Sequence, residues 1–70
     1  MTTFEIWDLE SGNALGEFER EQEALSAVRE NVRAEGPSAV KGIALVEIDE
    51  RGESKVLAQG DELIRLVLAS

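Results

Sequence analysis

Between Glu21 and Glu35 the apolar residues of this 70-residue chain recur with the period of a helix, and on either side they follow the pattern of strands. Leu25, Val28 and Val32 fall at i, i+3 and i+7, with Ala24, Ala27 and Ala34 widening the stripe. Acids crowd the first turn, while Arg29 and Arg33 come later, the order a helix dipole favours. Gly36-Pro37 is a stop signal, because glycine takes the left-handed cap and proline cannot continue the helix. A helix fixed here, between strand-like segments, directs the chain to an α+β fold in a single domain spanning residues 1–70.

Upstream, Phe4-Glu5-Ile6-Trp7-Asp8-Leu9 mixes aromatic and branched residues with alternating charges, which is strand chemistry. Ser11-Gly12-Asn13 forms a turn cluster, and Ala14 to Glu19 reads as the returning strand of a hairpin. The alternation places Phe4 and Ile6 on one face and Trp7 and Leu9 on the other, and a one-residue slip would exchange them. Downstream, a short connection from Pro37 to about Val40 leads into Gly42 to Asp49. The near-continuous apolar character of that run predicts a central strand covered at least partly on both faces. Asp49 to Glu53 is a turn and Ser54 to Gln59 the next strand.

The last ten residues admit two readings. Asp61, after Gly60, could cap a helix with Leu63, Ile64, Val67 and Leu68 as its buried stripe. Alternatively Ile64, Leu66 and Leu68 alternate as a final strand. The helix gives ββαββα, a four-stranded and mainly antiparallel sheet with both helices on one face. The strand gives ββαβββ, an order that looks like the ubiquitin-type β-grasp. The chain ends in Leu68-Ala69-Ser70, without the diglycine of conjugated members, so that chemistry does not carry over. Gly60-Asp61-Glu62-Leu63 favours the helix, since no turn chemistry separates the segment into another hairpin.

The runs Trp7 to Asn13, Glu23-Ala24-Leu25, Ala44-Leu45-Val46 and Gly60 to Leu63 resemble short bacterial proteins of hairpin, helix, hairpin, helix layout. No activity is assigned to those proteins. The resemblance implies only that layout.

Composition removes most chemistry. The chain has no histidine, cysteine or tyrosine. It lacks the side chain that titrates near neutrality unaided, a thiolate nucleophile, a disulfide and the usual zinc ligands. Ser11, Ser26, Ser38, Ser54 and Ser70 have no activating histidine. Asp8 and Glu47 fall where alternation directs a side chain inward or to a sheet edge, and the expectation is that each reaches water near a strand end. Asp49, Glu50 and Glu53 offer oxygen ligands in one turn, but Gly52 comes too early for an EF-hand and Arg51 would face the ion. A charged hairpin tip explains them, and neither a metal nor another cofactor is expected. No membrane-length apolar run and no signal-peptide pattern is seen, so a cytoplasmic, non-enzymatic protein is expected.

Charge and exposed apolar surface remain. Fifteen acids against seven bases give a net charge of −8. Residues 1–23 hold seven acids and one base, Arg20, and so carry −6 of it. Such a surface repels nucleic-acid backbones and favours a basic partner. Glu5, Glu10, Glu17 and Glu19 form the expected acidic patch of the N-terminal hairpin. Both faces of the central strand are apolar, with Ala44, Val46 and Ile48 on one and Ile43 and Leu45 on the other, and one layer of helices covers only one face. The expected function is therefore a protein-interaction module, homodimeric through the face bearing Trp7, Leu9 and Val46. Two rivals are an acidic inhibitor or antitoxin of a nucleic-acid-binding protein, and a ligand-binding domain with a pocket between helix and sheet.

Overall fold

The computed structural model describes residues 2–69. Its elements are β1 (Thr3–Asp8), β2 (Asn13–Phe18), α1 (Glu21–Glu35), a 3₁₀ turn (Pro37–Val40), β3 (Ile43–Ile48), β4 (Ser54–Gln59) and α2 (Asp61–Ala69). The strands form one sheet in the order β2-β1-β3-β4, every neighbouring pair antiparallel. The fold is thus α+β with ββαββα order. The β-grasp alternative fails because the final segment is helical: the Ile64 amide donates to the Gly60 carbonyl at 3.1 Å, and Leu63 and Val67, four residues apart, are both buried.

The two hairpins close with the same device. In the first, the Asp8 carboxylate accepts from the Glu10 amide at 3.1 Å and the Ser11 hydroxyl at 3.0 Å, while Gly12 supplies a φ of 75°. In the second, Asp49 Oδ1 accepts from the amides of Arg51 and Glu53, both at 2.9 Å, and Gly52 supplies 81°. An aspartate that organises its own turn and a glycine that supplies positive φ are the ingredients such turns need.

Helix α1 has the predicted bounds, but its stripe is narrower than the sequence implies. Ala24, Leu25 and Val28 are buried and Val32 half-buried, whereas Ala27 and Ala34 are exposed. In α2, Leu68 of the predicted stripe is exposed, because the helix rests on Leu63 and Val67. Asp61 is the first helical residue and not the cap; Gly60 holds that place with a φ of 56°. At the end of α1, Gly36 has positive φ with extended ψ (88°, 167°), so the chain leaves directly into the 3₁₀ turn.

One core lies between the sheet and the two helices. Ile6, Leu25, Val28, Val40, Leu45 and Leu63 are among its buried members, with Phe4, Phe18 and Leu57 packed against them. Arg29 Nε donates to the Val67 carbonyl at 3.4 Å, linking α1 to the end of α2. Leu45 is fully buried at the centre of the sheet. Leu45→Ala should cost about 3 kcal/mol, a large part of the roughly 4–10 kcal/mol expected of a chain this size, with urea unfolding as the measurement. Conversely, Arg20 occupies the N-cap of α1 with no side-chain hydrogen bond to the helix. Arg20→Ser should stabilise the fold by about 1 kcal/mol, read as a rise of about 4–8 °C in Tm.

Candidate functional site

The helices cover one face of the sheet, and the other face carries its own organised cluster. Register fixes its members: Trp7 lies opposite Ala44, Glu5 opposite Val46 and Thr3 opposite Ile48, while across the next ladder Val46 lies opposite Val56. Ala44 and Val46 are buried yet belong to no part of the helix-side core. Their shelter comes from neighbours on the flanking strands. Trp7 is half-buried, and its indole Nε1 donates to Glu5 Oε1 at 2.8 Å. Because Glu5 is two residues away on the same strand and face, this bond holds the ring along the sheet instead of projecting it into solvent. Val56, at 52 % exposure, is the open apolar element of the band.

The expected acidic patch comes together only in part. Glu5 and Glu17 are direct cross-strand partners in the β1–β2 ladder, an arrangement of like charges that costs stability. Glu10 sits exposed in the first turn, and Glu19 lies exposed beyond the end of β2. Leu9 also lies one residue past β1, half exposed, although its amide donates to the Gly42 carbonyl at 2.8 Å and extends the β1–β3 pairing.

The remaining carboxylate candidates are accounted for locally. Asp8 and Asp49 are committed to their turns. Glu47 is opposite Phe4 on one side and Lys55 on the other, a half-buried position with a basic cross-strand partner. Among the described residues no group of acids is placed to hold a metal ion.

Two features escape the sequence patterns. Both edge strands are bulged: Leu15 is skipped between the pairs Ile6–Gly16 and Trp7–Ala14, and Leu57 between Leu45–Ala58 and Val46–Val56. In addition, a groove of about 380 Å³ opens on the helix side between β2 and α1. Its floor is made by Ile6, Val28, Val40 and Ile43. Gly16 and Phe18 form part of its wall. The Phe18 ring reaches back over this glycine, and a Cβ there would stand 3.2 Å from the ring. An isolated glycine within a strand pattern is the available sequence signal for both the bulge and the close approach.

No family model, curated protein or solved structure matches this chain.

The hydrogen bond between Trp7 and the Glu5 carboxylate has a spectroscopic consequence, since Trp7 is the sole tryptophan. Anionic iodide should quench its fluorescence much less than neutral acrylamide at low salt, and Glu5→Gln should narrow that gap. Equal quenching by the two agents would place the ring away from the acids.

Proposed function

We propose that this chain is a non-enzymatic, cytoplasmic protein-interaction module that forms a reversible homodimer through its uncovered sheet face. The observation that carries the reading is the continuous apolar band of Trp7, Ala44, Val46 and Val56, which crosses three strands on the face that no helix covers. A two-fold axis parallel to the strands pairs β1 of one copy with β3 of the other, and β2 with β4. Trp7 then packs over the partner's β3, whose Ala44 and Val46 the partner's own indole already shelters, and Glu17 meets the β4 edge instead of another carboxylate.

Size and charge set the strength of this association. Four strands about 4.8 Å apart and six residues long present roughly 400 Å² per copy, about half of what a standard stable interface buries on each side. Each copy carries −8, so the charges oppose pairing. Both arguments favour a weak dimer that salt strengthens, whereas a complex with a basic protein would be weakened by salt.

Sedimentation equilibrium over a concentration series at low and high salt tests the proposal. The expected result is a shift from monomer towards dimer with concentration, enhanced by salt. Trp7→Glu should give a monomer of reduced stability, because the ring also shelters Ala44 and Val46. Val56→Glu should abolish the dimer while changing stability by no more than about 0.5 kcal/mol, as expected at an exposed site. A monomer at every concentration, or an undiminished dimer in Val56→Glu, would overturn the reading.

A further inference from the structure

The groove on the helix side lies beside a strand whose outer edge is unpaired. β2 is the first strand of the sheet order and has a neighbour only in β1. On one side of the groove stand Leu15, 59 % exposed, and the half-buried Phe18. On the other stand Ala27, Glu30 and Asn31, which fall at i, i+3 and i+4 on α1. A free strand edge next to an apolar groove bounded by a helix supplies the two parts of recognition by strand addition: backbone pairing for affinity, and a recess for alternate side chains. We infer that the β2 edge and this groove bind an extended peptide segment in which apolar residues alternate with lysine or arginine.

The alternation follows from the pleat. In a strand added beside β2, successive side chains point to opposite faces of the sheet. Those on the helix side enter the groove, whose floor is apolar. A cavity of about 150 Å³ already holds a benzene ring, so the observed volume takes one or two aliphatic side chains. Those on the other side lie next to Glu17, which has Glu5 across the ladder as a second carboxylate. A base placed there relieves the repulsion between these two acids. At the groove mouth Glu30 is 74 % exposed, and its 3.8 Å contact with Arg33 is an open surface pair that competes weakly.

The same charges select against a second copy of this chain as the occupant. Two β2 edges brought together would bring Glu17 and Glu19 of each copy close to one another, a common means of keeping an open edge from pairing with itself. A basic strand meets no such penalty. The apolar half of this site lies on the helix side, away from Trp7 and Val56, so shifts at residues 27–31 and the Ala27→Phe variant separate it from dimerisation, although Glu17 borders both surfaces.

The test is a nuclear magnetic resonance titration of the isotopically labelled full chain with a capped hexapeptide alternating lysine and isoleucine. Three further peptides serve as controls: one with glutamate for lysine, one with serine for isoleucine, and one N-methylated at alternate backbone nitrogens. The expected result is saturable shifts at residues 14–18 and 27–31. Affinity should fall at least tenfold with each control peptide. Ala27→Phe, an exposed helical position where a ring would fill the groove, should weaken binding to a similar degree. Equal binding of the N-methylated or serine peptide would reduce the interaction to charge attraction and overturn the inference. Shifts confined to Trp7, Val46 and Val56, or no binding at all, would overturn it as well.

Discussion

β3 is the constraint on which the other elements depend. It is paired on both sides, with β1 and with β4, and four of its six residues are buried. Leu45 faces the helices and Ala44 and Val46 face away, so the strand is apolar on both surfaces although only one is covered by helices. This requirement places β1 and its tryptophan alongside β3 and leaves β2 and β4 as the edges. It also fixes α1. The helix connects an edge strand, β2, to the central strand by crossing β1, and must lie on one face of the sheet to do so. α2 follows β4 onto that same face, and Leu63 and Val67 complete the core there.

The elements were legible in the sequence where one pattern acted alone. The bounds of α1 follow from its 3.6-residue period and the Gly36-Pro37 stop, and those of β4 from its flanking turns. The faces of β1 and β3 follow from alternation, because period 2 leaves no freedom once Ile6 is assigned to the core. Details escaped where two influences met. Both bulges arise where an edge strand must turn a leucine towards the helices out of step with its ladder, and alternation counts cannot reveal a skipped residue. The exposure of Ala27, Ala34 and Leu68 has a similar cause. A helical period identifies the apolar side of a helix, but the shape of the sheet beneath decides how much of that side is covered.

The candidate site divides along the same line. Alternation sets Trp7 on the face opposite Phe4 and Ile6, and Val46 on the face opposite Ile43 and Leu45, but which of the two faces the helices cover does not follow from alternation. Leu9, Glu10 and Glu19 could not be joined to them, because they lie past strand ends where the pleat no longer dictates direction. Glu5 and Glu17 come together through the register of the first hairpin, which includes a bulge. That register also sets Gly16 opposite Ile6, beneath the Phe18 ring, along one wall of the groove.

The concentration of acid in the first 23 residues has a structural meaning that net charge alone does not convey. β2 is an edge strand, and an exposed edge invites pairing with other chains. Here it carries Glu17, is followed by Glu19, and is interrupted by the Leu15 bulge. The bulge discourages indiscriminate pairing of any kind, and the two acids discourage acidic strands, including other copies of the same chain. The two acids do not hinder a strand of opposite charge, and the carboxylates facing each other across the first ladder give such a strand a reason to bind. A device that protects the fold from self-pairing thereby also defines which partners can approach its edge.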